Sequence, residues 1–291
     1  MSGINTSQKV ESYWHLVSKR LVRDKIALFS MLLIFIVTIV CIIGPYFSPY
    51  KSNQMGSPAN VLQPPSAKHW LGMDELGRDT LTRLLYGGRI SLLIGFLSVF
   101  SAIIIGVIIG AYAGYYGGFI DIVLMRFTDI MYSIPVLPLL VVLSAIFPGA
   151  GVLKIALVIA TFGWMTSARM IRGLFLSLRE ELYTEAARAI GASSARIIWK
   201  HLLPNSLAPI IVFATLRIGG NIIYEATLSY LGFGIMPPTP SWGNMLQNAQ
   251  YAILIAPWLV WAPGIAIFVT VLAFNFLGDG LRDAMDPRLY R

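Results

Sequence analysis

Chemistry-bearing residues are scarce in this chain. Its one cysteine, Cys41, lies inside an apolar run, so it closes no intrachain disulfide and says nothing of redox compartment. The three histidines, His15, His69 and His201, are scattered, and no Cys/His spacing suits zinc. There is no GxxxxGK(S/T) phosphate loop and no GxSxG nucleophile elbow. These absences exclude a chain that performs catalysis by itself: no catalytic, cofactor or metal site is expected. No long-period repeat is visible either.

Charge is also sparse. Only 12% of the 291 residues are charged, against roughly a quarter in a soluble domain, while 56% are hydrophobic. The chain reads as an all-α polytopic membrane protein. A net charge of +8 would suit a nucleic-acid partner, but the basic residues sit beside apolar runs, where topology accounts for them. No basic surface interleaved with aromatics appears, and the partner is a lipid bilayer, not nucleic acid.

Residues 1–25 form a polar arm with Lys9, Lys19, Arg20, Arg23 and Lys25. An uncharged run over 26–47 follows, long enough at 1.5 Å per residue to cross a hydrocarbon core of about 30 Å. The arm is expected inside. Residues 48–88 form an extracytoplasmic segment whose phrase HWLGMDELGRDTLTRLLYGG reads as a capped amphipathic helix on the membrane surface, with Leu81, Leu84 and Leu85 toward lipid and the charges toward water. Residues 89–291 are the membrane core. Further spans are expected near 90–114, from 120 with a bend at Pro135 and Pro138, and near 152–170, 206–233 and 257–277, which puts both termini in the cytoplasm. Gly106 and Gly110, four apart, mark a helix-packing face. Arg126 and Asp129 share a helix face and are expected to pair. The uncharged loop 234–256 reads as an outer connector anchored at the interface by Trp242 and Tyr251.

Two polar features stand out. Arg217, Asn221 and Glu225 fall within the fifth span, and Glu225 lies deepest. An ionisable group there must face a bundle interior or water, so these three are candidate pore or bundle residues, with a structural, hydrogen-bonded carboxyl as the competing reading. The second feature is 177–205, SLREELYTEAARAIGASSARIIWKHLLPN, an Arg-rich insert between apolar runs. Apolar positions recur at helical spacing from Leu178 to Ile190, Gly191 interrupts, Ser193 caps a second helix and Pro204 closes it. Its cationic excess puts this hairpin on the cytoplasmic side.

Glu185-Ala186-Ala187, three residues, Gly191, and then Leu203-Pro204 twelve and thirteen positions later resemble the EAA loop of permease subunits of bacterial ATP-binding-cassette importers. The general pattern has Ile two residues before Leu-Pro; His201 stands there, and KHLLPN resembles the dipeptide, oligopeptide and nickel branch. LGMDELGRDTLTRLLYGGRISL, EATLSYLGFGIMPPTPSWGNML and LGDGLRDAMDPR agree, so the resemblance spans nearly the whole chain. It is strongest to the second permease subunit of peptide importers. That resemblance implies a MetI-like fold of six spans in a bacterial inner membrane. It also implies a homologous permease partner, two cytoplasmic ATPases that bind ATP and Mg, and an extracytoplasmic substrate-binding protein. The coupling interface would comprise Glu185, Ala186, Ala187, Gly191, His201, Leu203 and Pro204. The cargo would be di- or oligopeptides, with nickel or glutathione-like substrates as alternatives. From another class, an ion-coupled secondary transporter would need matched broken helices or several deep carboxylates.

Overall fold

A computed structural model describes residues 13–147 and 151–286; the start of the arm, the expected turn at 148–150 and the end of the tail lie outside them. Eleven α-helices occur in this part: α1 (Tyr13–Arg23), α2 (Lys25–Phe47), α3 (Thr80–Tyr116), α4 (Gly118–Tyr132), α5 (Val136–Ile146), α6 (Val152–Leu178), α7 (Leu182–Ala189), α8 (Ser194–Ile197), α9 (Leu203–Tyr230), α10 (Trp242–Ala249) and α11 (Trp258–Met285). Five helical stretches are long and apolar enough to span a bilayer, and α4 with α5 makes a sixth span bent by 85°. The bend falls where Pro135 follows Ser133 and Ile134. Proline there cannot donate to the Met131 carbonyl, which takes the Ile134 amide at 3.4 Å instead, and the Ser133 hydroxyl adds a bond to the Ile130 carbonyl (2.7 Å).

The bundle is built around α3 and α6. A Cβ added at Gly106 would sit 2.4 Å from the Ser167 Cβ, one at Gly110 2.4 Å from the Ala168 carbonyl oxygen, and one at Gly114 2.6 Å from the Phe175 Cβ. Only a stripe without side chains lets the two backbones meet, which is how helices gain contact in lipid, where no hydrophobic drive exists between them. α9 and α11 pack on the other side, and α2 lies outermost against α3 and α11. Asp24 caps α2 by accepting from the amides of Ile26 and Ala27. Farther along, Pro45 leaves the Cys41 carbonyl without its helical donor, and Arg89 of α3 supplies one at 2.8 Å. Arg89 also bonds the Ile42 carbonyl.

Four expectations are corrected. Residues 80–88 are not a separate surface helix but the first turns of α3, and the charges beside them are buried. Asp129 pairs with Arg169 of α6 at 2.7 Å rather than with Arg126 of its own helix, because α6 brings a cation closer than the next helical turn does. Trp242 is not an interfacial anchor: it is 1% exposed, and its indole donates to the Leu84 carbonyl. Pro204 does not close the hairpin, since the helix continues through it from the π turn into α9.

Candidate functional site

The hairpin is assembled from local rules. α6 runs through Leu178, farther than the periodicity suggests, and the buried Thr184 hydroxyl returns to the Leu178 carbonyl at 2.9 Å, fixing the start of α7. α7 ends in a Schellman motif: the Ala192 amide donates to the Ala187 carbonyl (3.0 Å) and Gly191 to Arg188 (2.9 Å). Gly191 has φ +80° with nothing near its Cβ position, so conformation rather than space demands glycine there. The Ser193 hydroxyl accepts from the Arg196 amide and caps α8. A π turn over Ile198–Leu202 then passes into α9 without a loop. Ala187, Ile197, Ile198 and Leu202 pack against Ile171 and Phe175 of α6, with Leu203 at the edge of the cluster.

The other face is open. Leu182 is 80% and Ile190 86% exposed, and Glu185, Ala186, Arg188 and Pro204 are exposed as well, while His201 is half-buried. The expected coupling residues thus divide into a support, Ala187 and Leu203, and a presented surface around Glu185 and Ala186. Arg188 lies over the Tyr115 ring at 5.4 Å, and Arg179 donates to the Gly114 carbonyl, so the hairpin is tied to the end of α3.

Arg217, Asn221 and Glu225, four apart, do share one face of α9, and it turns toward α3 and α6. Arg217 donates to Thr166, and Asn221 donates to Ser98 at 2.8 Å. Glu225, 0% exposed, accepts from Ser91 and Ser229, both at 2.7 Å. The same Ser91 oxygen accepts from the Trp242 amide, and Ser229 accepts from the Ile235 amide, which locks the 231–242 loop onto the bundle. Asn221 and Glu225 therefore form an interhelical polar seam with satisfied partners, and Arg217 alone of the three is partly open. The competing, structural reading of Glu225 is the one that fits this geometry.

Sequence reasoning missed a charged corner at the other end of α3. Asp74 accepts from the Leu76 and Arg78 amides and from Arg78 Nε (2.6 Å), with Arg83 Nε at 3.3 Å. Arg78 also reaches Glu75 at 2.8 Å. Asp79 caps α3 through the Thr82 amide and meets His69 at 2.9 Å. Burial and the Asp74 charge push the Glu75 carboxyl above the usual carboxylate range. Arg78 four residues after Asp74 was the available signal. Among the described residues no cluster of His, Cys, Asp and Glu could hold a metal ion.

Comparison with known proteins agrees with this architecture. A family model described as the binding-protein-dependent transport system inner membrane component matches residues 106–291. Another, the N-terminal transmembrane domain of oligopeptide transport permease C, matches residues 12–65. The chain is 42% identical over 281 residues to the glutathione transport system permease protein GsiD of Shigella flexneri serotype 5b (strain 8401), covering 97% of this chain and 92% of that one. Identity to the protein of the same name from Escherichia coli O157:H7 is 41% over the same shares. Among solved structures, a chain of the MetNI methionine ABC transporter in an inward facing conformation aligns with a TM-score of 0.53 at 22% identity, over 69% of this chain and 96% of that one. The last likeness shows a common fold, and the matched families leave no place for an ion-coupled secondary transporter. The chain belongs to the binding-protein-dependent transport system inner membrane component family and is a multi-pass permease subunit of an ATP-binding-cassette importer.

Proposed function

We propose that this permease imports small peptides, glutathione-like tripeptides included, and is driven through its hairpin by separate ATPase subunits. The observation that carries the reading is the hairpin's presented face: Leu182 and Ile190 are exposed at the tip of an element that is otherwise well packed. Two large aliphatic side chains held open beside Glu185 and Arg188 suit a cleft on a partner protein. The chain lacks any phosphate loop, so ATP and Mg are bound by two cytoplasmic ATPases, with no cofactor on this chain. A homologous permease completes the pathway, and an extracytoplasmic binding protein delivers cargo. Arg172, Arg179, Arg188, Arg196 and Lys200 gather at the hairpin end, which favours the hairpin and both termini being cytoplasmic.

The peptide class rests on the permease relatives and on the low charge of the spans, which would pass a zwitterion without a fixed counter-ion. The test is to co-express the chain with its ATPases, second permease and binding protein and to reconstitute them in proteoliposomes. Uptake of labelled dipeptide, pentapeptide, glutathione and a nickel chelate is then compared with and without ATP. ATP-dependent uptake of peptides is expected. Uptake of the nickel chelate alone would overturn the peptide reading, and ATP-independent uptake would overturn the coupling.

A further inference from the structure

The bent span has an unusual attachment. Helix α4 is apolar, yet Thr128 is its one fully buried side chain, and Phe119, Ile122, Val123 and Ile130 are exposed. Shape packing alone holds it weakly. Besides its packing on α3, a row of specific ties, all to α6, holds it. Arg172 grips Asp121 with two bonds, at 2.5 and 2.6 Å. Arg169 meets Asp129 at 2.7 Å and lies over the Tyr132 ring at 4.3 Å. Trp164 stacks on Phe127 at 6.0 Å. These ties cover α4 from its first turn to its last, up to the 85° bend; beyond it α5 meets α6 separately, through the Lys154 ammonium on the Ser144 carbonyl (2.8 Å) and through Leu140 in the core. α6 in turn runs straight into the hairpin, with only three residues between its end and α7.

We infer that Asp121 and Asp129 are positioning residues that make the inner arm of the bent span travel with α6, so that hairpin movement reaches the bend at Ser133–Pro135. This inference rests on the hairpin reading above. Charged hydrogen-bonded pairs between helices are directional, and the two-bond Asp121–Arg172 pair, the more enclosed of the two, fixes a set geometry. An apolar helix in lipid without them would be free to slide or rotate against its neighbour, since lipid chains replace lost contacts at little cost. A row of ionic and aromatic ties that ends at a break yields a rigid pair on one side of the bend, with α5 seated on α6 by its own contacts on the other.

The experiment uses the whole complex in proteoliposomes, with uptake of the labelled peptide that the wild type carries and ATP hydrolysis measured on the same vesicles. D121N/D129N is expected to hydrolyse ATP within about twofold of the wild type while uptake per ATP falls about tenfold, in the range of known coupling factors. The charge swaps D121R/R172D and D129R/R169D, which retain each pair with its polarity reversed, are expected to recover uptake to within about threefold. R126Q, on the same helix, should change nothing. A structural role alone would lower the amount of assembled complex without altering uptake per ATP. Wild-type coupling in D121N/D129N, or no recovery in either swap, overturns the inference while leaving the hairpin reading intact. A wild type whose uptake ignores ATP overturns both. Should the double variant not assemble, D129N alone, whose pair is half-exposed, is measured in the same way: lowered uptake per ATP is expected, and wild-type coupling overturns the inference.

Discussion

Two charged inserts interrupt the apolar helices, and they end differently. The corner around 69–83 and the hairpin at 177–205 each mix acids and arginines, and they lie at opposite ends of α3, whose 37 residues span about 55 Å. In the corner, Asp74, Arg78, Asp79 and Arg83 are all buried, and each finds an ionic or hydrogen-bonding partner within the chain. In the hairpin the charges lie open, and large apolar residues lie open beside them. Both mix acids and arginines; what differs is burial. A polar insert that buries its charges against one another serves as architecture, even with the Arg83 Nη2 and the Thr80 hydroxyl left without a partner there, whereas one that leaves aliphatic side chains in water awaits a second surface.

The sharpest way to break this comparison is to remove Arg83, which is 2% exposed. R83M strips Asp74 of one cation inside the corner and is expected to destabilise the subunit by about 3 kcal/mol, read as a lower melting temperature in detergent. An unchanged melting temperature would mean the corner is not a closed network. I190D should do the opposite, leaving melting within about 0.5 kcal/mol of wild type. It should nonetheless weaken ATPase retention on co-purification by about 2 kcal/mol, as loss of an interface anchor does. Equal retention would show that the exposed tip touches nothing. G191V forces a β-branched residue to φ +80° at a cost of about 1–3 kcal/mol. The subunit should reach the membrane while uptake falls, and normal uptake would reject a role for the turn.

The polar seam lies between these extremes. E225Q keeps the shape but turns one carboxyl oxygen into an amide donor facing a serine hydroxyl that now donates to it, so a loss of about 1 kcal/mol in stability is expected, with uptake per folded molecule unaltered. A transport defect in well-folded E225Q would restore a working role to that carboxylate. The smallest effect belongs to Glu75. Its folded-state pKa is raised, so its contribution to stability is fully present below the unfolded carboxylate value of about 4.3 and is lost as pH rises through the folded value. Against E75Q, the wild type should lose relative stability as pH increases from about 4. A gain instead would mean that the bond from Arg78 outweighs burial.

Much of the fold was legible from residues alone. Long uncharged runs located the spans because span length is set by bilayer thickness, a constraint outside the chain, but α3 starts well before the expected 90 and α6 and α11 run well past 170 and 277, since a helix does not end where its apolar run does. Gly106 and Gly110 announced helix contact, Gly191 announced a turn, and Pro135 announced a bend, since each has a local stereochemical cause. What stayed hidden depended on neighbours far along the chain. Asp129 could pair with Arg126 or with Arg169, and only the placement of α6 decides. Trp242 looks like an interfacial residue until Gly88 and Cys41 are seen to make room for it beside α3. The charges of 74–83 alternate as a surface helix would, and nothing local reports that 48–79 folds over them. For the hairpin, the motif and the turn are local and could be read directly, but which residues support it and which are presented follows from the packing of α6 alone.

The glycine stripe between α3 and α6 has one mechanical consequence. Gly106, Gly110 and Gly114 act as notches spaced four residues apart, about 6 Å along the axis, and backbone of the opposing helix sits in them. Any smaller slide would ride a notch onto a neighbouring side chain. The joint therefore resists gradual shear, and α3 and α6 turn together or not at all. In a subunit that must change shape, this pair is the axle rather than the hinge.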